Sequence, residues 1–193
     1  MTKAELTRSF YATFGPSDAP RCFFAGGRVN LIGEYVDFNG GHVLPCALTM
    51  GTTALLRRRA DNRLRFYSLN FPQAGVLEGT LADIRCQERN QWANYVLGMI
   101  FALRERGIEL SSGFELLIYG NIPNGSGLSS SASLEVVAGA ALRACYGLDV
   151  TDVELALLGQ RTENGFIGTG YNKGIRMLSD FGSELYCITP EEA

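Results

Sequence analysis

At 193 residues the chain has room for one sizeable core, and 46% apolar residues with 10% aromatics describe a globular composition, not a disordered or fibrous one. A formal net charge of −3 excludes a general attraction to nucleic acid or to an anionic membrane and points to small-molecule partners. Five well-separated cysteines (Cys22, Cys46, Cys86, Cys145, Cys187), odd in number and without a CxxC pair, read as reduced thiols and argue against a zinc site.

In chain order, residues 3 to 14 read as a short helix, followed by the turn-forming GPSDAP. The first residues lack a signal-type apolar stretch, and no apolar run approaches a membrane span, so the cytoplasm is the expected location. CFFAG reads as a buried strand. GRVNLIGEYVDFNGGHVLP, residues 27 to 45, reads as a long functional loop with short extended pieces, because its glycines interrupt any periodicity. Residues 48–56 and 63–69 flank Ala60-Asp61-Asn62 as the arms of a hairpin would. Residues 91–106 carry helical spacing and stop at Gly107; FELLIYG, residues 114–120, is a buried strand. A second capped helix starts at Thr151, where Thr151-x-x-Glu154 forms a capping box, and runs to about Asn164. No repeat, linker or composition shift marks a second domain.

Between the last strand and helix lies GNIPNGSGLSSSASLEVV, residues 120–137, with three glycines, five serines and one proline before an apolar helical run. A glycine-rich turn entering a helix directs several backbone N–H groups at one point, where the helix dipole adds partial positive charge. That point suits an anion, and Ser129, Ser130, Ser131 and Ser133 offer hydroxyls for a phosphate, for capping, or for a bound magnesium. The loop is no Walker A motif, since the chain's only lysines are Lys3 and Lys173, and it is no GxGxxG fingerprint. The cluster Arg57-Arg58-Arg59 with Arg63 and Arg65 reads as a solvated hairpin rim, and Trp92 and Tyr95 read as core. The single histidine, His42, leaves no histidine metal cluster and no histidine-dependent triad.

PNGSGLSSSAS resembles the second motif of the GHMP kinase superfamily of small-molecule kinases. GRVNLIGEYVDFNGGHVLP resembles the galactokinase signature GRVNLIGEHTDYNGG, and QWANYVLG and RTENGFIG follow in matching order, so the resemblance runs from residue 22 to about 170. It implies an α+β fold, the GHMP kinase N-terminal domain (ribosomal protein S5 domain 2-like), with a mixed sheet and helices packed on one face. It implies one such domain over 1–193, with residues 20–45 binding galactose and residues 120–135 binding ATP phosphates, and phosphorylation of the C1 hydroxyl of galactose with ATP and magnesium.

Carried over residue by residue, the sugar falls to Glu34, Tyr35 and Asp37. The acids Glu34 and Asp37 can accept hydrogen bonds from sugar hydroxyls, which discriminates against analogues lacking them. Arg28, a rigid fork of donors, falls beside the reacting hydroxyl and assists phosphoryl transfer. The phosphate cradle falls on Pro123, Asn124, Gly125, Ser126, Gly127, Leu128, Ser129, Ser130, Ser131 and Ala132. Magnesium falls to Ser130, or its neighbour Ser131, with Glu163. The family also places the 91–106 helix near the nucleotide.

The chain departs from the pattern where the family reads CGIMDQ, whose aspartate is the proposed base. The aspartate column falls here on Ile175, Met177 or Leu178 according to register. Asp180 is the nearest carboxylate, at least two positions away, in chemistry where about 1 Å counts. Tyr35 replaces a histidine and Gly26 a proline. Galactokinases also run to about double this length, so the C-terminal domain is expected to be absent and a truncated or frameshifted tail to follow about residue 170. Three readings stay open: a galactose kinase with impaired turnover, a silent galactose- or ATP-binding regulator, and a non-functional fragment. A surface left by the missing domain implies self-association.

Overall fold

The computed structural model describes residues 1–32, 42, 44–123, 128–168 and 189–190. Helix α1 (Lys3–Phe14) forms where expected. Thr2 and Glu5 close a reciprocal cap, the Glu5 carboxylate accepting from the Thr2 N–H at 2.7 Å and the Thr2 hydroxyl accepting from the Glu5 N–H at 3.3 Å.

Strand β1 (Arg21–Ile32) runs well past the expected CFFAG and takes in GRVNLI, the first six residues of the segment expected as a loop with short extended pieces. The glycines act here by allowing close approach. A Cβ on Gly51 would sit 2.1 Å from the Ala25 carbonyl oxygen, so β1 and β2 (Leu44–Arg58) can pair antiparallel there only with glycine. The register shifts between Gly26 and Arg28 and again between Asn30 and Ile32, bulges that re-aim the side chains between them.

Strand β3 (Arg63–Ser68) is not the hairpin partner of β2. β5 (Phe114–Gly120) inserts between them, antiparallel to β2 and parallel to β3. The turn that looked like a hairpin spans a gap one strand wide, and Gly113 enters it: its N–H donates to the Asp61 carbonyl at 2.6 Å and its carbonyl accepts from the Arg59 N–H at 2.8 Å. β3 pairs instead with β4 (Leu77–Thr80), a strand too short to register in the sequence pattern. With the two-residue β6 (Thr189–Pro190) the described residues form a mixed sheet of six strands in the order β4-β3-β5-β2-β1-β6.

Alternation along β5 assigns its two faces. Phe114, Leu116 and Ile118 meet the core shared with α2 (Ala93–Glu105), α3 (Ser130–Tyr146) and α4 (Asp152–Arg161). Leu117 packs with Leu55 against Leu6, Phe10 and Phe14 of α1 on the opposite face. The one-faced helical layer therefore holds for α2 to α4, and α1 adds a helix behind the sheet. Among the described residues, no helix is long and apolar enough to cross a membrane.

Behind the sheet Arg57, Arg59 and Arg65 of the arginine cluster are structural, while Arg58 and Arg63 stay exposed as a solvated rim would. Glu115, 3% exposed, takes Arg57 through Oε2 at 2.6 Å and Arg59 and Arg65 through Oε1 at 2.8 and 3.1 Å. Arg57 also donates to the carbonyls of Gly15 and Asp18 and stacks 5.0 Å over the Phe10 ring, which ties the end of α1 to the sheet. Arg58 alone of the triplet is exposed, resting over the Tyr146 ring at 4.7 Å.

Candidate active site

The strand, loop and helix order read from the sequence holds: β5 ends at Gly120 and α3 begins at Ser130. Beyond β5, Asn121 anchors the loop entry to β2, its Oδ1 accepting from the Gly51 N–H at 2.7 Å and its own N–H reaching the Gly51 carbonyl at 3.0 Å. At the loop exit Ser129 precedes α3 in the left-handed region, φ 59° and ψ 47°, an uncommon conformation for a residue with a side chain. Among the described residues no side chain caps α3, which leaves the first N–H groups of the helix open to an anion.

The serines separate by role. Ser133 is fully buried and holds α3 onto the sheet, its hydroxyl bonding the Ala25 carbonyl at 2.8 Å and the Thr52 hydroxyl at 2.9 Å. Ser129 accepts from Nη2 of Arg28 at 2.8 Å. Ser130 and Ser131 line a pocket of about 210 Å³ whose walls include Ser68, Phe71, Trp92, Tyr95 and Ile122. Trp92 is thus both core and pocket wall, and its Nε1 is buried with no partner among the described residues.

Arg28 reaches this loop from β1. The bulge after Gly26 sets Gly27 against the loop exit, where an added Cβ would lie 2.8 Å from the Leu128 carbonyl oxygen and 2.9 Å from Cδ1 of Ile122. The Arg28 N–H donates to that carbonyl at 3.3 Å, and Nη1 donates to Oδ1 of Asn30 at 2.6 Å. Segments 101 residues apart in sequence are joined by side chain and backbone together.

Glu163 comes from the far side. After Arg161 the helix widens into a π-helical turn (Thr162–Ile167), closed by the Gly168 N–H on the Glu163 carbonyl at 2.9 Å. The Glu163 carboxyl stands beside Ser131, and of the two neighbouring serines this is the one it meets. Burial pushes the Glu163 carboxyl above its usual range while the Ser131 hydroxyl pulls the other way, and among the described residues no cation offsets the burial. Glu135, in the middle of α3, lies behind it. It is 1% exposed, one carboxyl oxygen has no partner among the described residues, and burial with the nearby Glu163 charge holds its carboxyl well above the ordinary range. Burial, reinforced by both acids, pushes the Tyr95 phenol up to about 12. A hydroxyl and a half-buried carboxyl form an oxygen donor pair suited to a hard cation such as magnesium.

Sequence reasoning missed Asn30 and Glu135. Glu135 was visible as the one charge within the apolar run SASLEVVAGAAL. Asn30 carried no signal separable from its neighbours. Glu34, Tyr35, Asp37, Asn124, Gly125, Ser126, Gly127 and Asp180 lie outside the described residues. Pro123, Leu128, Ser129, Ser130, Ser131 and Ala132 lie at the two ends of the loop, with Pro123 exposed and Ala132 buried.

Comparison with known proteins places these features in context. Residues 8–58 match the family profile described as the galactokinase galactose-binding signature, and residues 94–175 match the GHMP kinases N terminal domain. A galactokinase of Ligilactobacillus salivarius is 48% identical over 91% of this chain and 44% of its own length. One from Exiguobacterium sibiricum is 51% identical over the same shares, 91% and 44%. The crystal structure of Lactococcus lactis galactokinase complexed with galactose superposes with a TM-score of 0.83 at 40% identity, covering 98% of this chain and 52% of that one. The chain spans less than half the length of the curated relatives it matches.

Proposed function

This chain belongs to the galactokinase family, and from that premise we propose that it carries the sugar and nucleotide face of an enzyme moving the γ-phosphoryl group of ATP to the C1 hydroxyl of galactose. The observation that carries the reading is the junction of Arg28 with Ser129 at the exit of the glycine and serine loop, whose next serines, Ser130 and Ser131, line the pocket, with Glu163 beside Ser131.

Phosphoryl transfer asks mainly for positioning and neutralisation of charge. The start of α3, with Ser129 to Ala132, receives phosphate oxygens, and Pro123 to Leu128 complete the phosphate-binding segment. The apolar pocket under Trp92 and Tyr95 takes the base of the nucleotide. Ser131, with Ser130 next to it, and Glu163 hold magnesium, which neutralises phosphate charge when bound. Glu34, Tyr35 and Asp37 take the sugar hydroxyls. Arg28 offers its fork to the oxygens that gain charge as the phosphoryl group moves. Residues 20–45 and 120–135 are on this reading the two binding segments of one N-terminal GHMP domain, working in the cytoplasm.

A second reading, binding without turnover, is favoured by one observation: the family's base aspartate has no acid in its column, which falls on Ile175, Met177 or Leu178, and Asp180 is displaced from it. A coupled assay of ADP release with galactose, run against galactosamine and glucose, separates the two. The account expects galactose-dependent release far below that of ordinary sugar kinases. A rate near theirs would refute the argument from the missing base; no galactose-dependent release together with galactose binding by calorimetry selects the second reading, and neither release nor binding selects a non-functional fragment.

A further inference from the structure

We propose that Asn30 and Ser129 are positioning residues for Arg28, a two-point clamp that fixes the plane of its guanidinium against the exit of the phosphate loop. The proposal rests on the reading that Arg28 faces the transferring phosphoryl group. A guanidinium is planar with five donors in fixed directions, so two donors tied to two different elements determine where the others aim. Nη1 is tied to Oδ1 of Asn30 on β1 at 2.6 Å, and Nη2 to the hydroxyl of Ser129 at the start of α3 at 2.8 Å. The backbone supplies a third tie, the Arg28 N–H on the Leu128 carbonyl at 3.3 Å.

Two independent features mark the clamp as more than a surface contact. Asn30 is 7% exposed, and its amide turns its oxygen to the arginine while its Nδ2 is left buried with no partner among the described residues. Guanidinium donors accept nothing, so a flipped amide would set donor against donor; the arginine dictates the orientation. Ser129 holds a left-handed φ of 59° and uses its hydroxyl on Arg28 instead of capping α3. Backbone strain of this kind persists where the surroundings over-determine it, commonly at functional sites.

The test is calorimetric titration of the 193-residue chain, with magnesium and galactose present, by ADP and by β,γ-imido ATP, reading the ratio of the two affinities. An arginine aimed at the terminal phosphoryl group favours the triphosphate analogue, and Arg28→Ala removes that preference. Asn30→Ala and Ser129→Gly are each expected to lower the ratio about tenfold, the worth of one charge-assisted hydrogen bond. In the Arg28→Ala background neither is expected to change it further, because both act through Arg28. Ser129→Gly relieves the positive φ and should fold at least as well, so a purely structural role predicts a gain in stability with the ratio unmoved. Ratios equal to the parent's in both variants overturn the inference alone, as does a further loss in the Arg28→Ala background. No nucleotide binding by the parent chain overturns the functional reading and this inference with it.

Discussion

Glu115→Gln perturbs the point where the back of the sheet concentrates charge. The carboxylate is 3% exposed and answers three arginines; of these Arg57 is itself 7% exposed, while Arg59 and Arg65 have side chains 24% exposed. The neutral amide keeps the shape and one acceptor but leaves Arg57 as a buried cation without a counter-charge. Breaking a buried pair by removing one partner costs about 3–5 kcal/mol. Arg59 and Arg65 can rehydrate, and Arg57 keeps the carbonyls of Gly15 and Asp18, both at 3.2 Å, so the lower end, about 3 kcal/mol, is expected. Urea unfolding followed by circular dichroism reads this as a fall in midpoint at constant slope. The control is Asp61→Asn: Asp61 is paired with Arg59 at 2.7 Å but has a side chain 44% exposed, and its loss should cost at most about 1 kcal/mol. If Glu115→Gln costs no more than Asp61→Asn, the buried cluster is not what ties α1 to the sheet.

Three further outcomes follow from the same structure. Glu135 keeps its proton in the fold well above the ordinary carboxylate range, where the unfolded chain releases it, so stability falls as pH rises through that window by up to about 1.4 kcal/mol per unit. Glu135→Gln removes this dependence; unfolding midpoints at pH 5, 6 and 7 should diverge in the variant's favour, and parallel curves would contradict the assignment. Gly98→Ala drives a Cβ to 2.3 Å from Cγ2 of Thr162, and overpacking of about 1–3 kcal/mol should outweigh a helix gain of about 1, with Thr162→Ala restoring the loss; a stabilised single variant refutes the packing. Leu31, Ile32 and Leu44 stand 66%, 69% and 56% exposed at one end of β1 and β2, so sedimentation should show self-association that Leu31→Ser with Ile32→Ser reduces; an unchanged profile refutes that surface.

Local patterns carried much of the fold. α1, α2, β5 and the capping box of α4 lie where periodicity and end signals put them, since each is decided within a dozen residues. The β2 and β3 hairpin failed because nothing near Ala60-Asp61-Asn62 reports that a strand some fifty residues later will insert between its arms. Glycines misled around the start of GRVNLI, where Gly26 permits close strand approach and Gly27 close approach to the loop exit instead of ending the strand. The arginine triplet misled because its partner, Glu115, sits inside an apparently apolar strand and shows its face only once alternation is fixed. At the site, Arg28 and the serine loop were legible as motifs, but their contact is a product of topology. Asn30, which orients Arg28, and Glu135, which lies behind Glu163, take their meaning from neighbours that only folding supplies.

The central claim is that this chain presents a galactose site joined to a nucleotide site. Calorimetric titration of the 193-residue protein with galactose, then with β,γ-imido ATP and magnesium, tests it most directly. The account predicts saturable binding of each at one site per chain, with the nucleotide isotherm weakened by Glu163→Gln. No saturable binding of either ligand would contradict it.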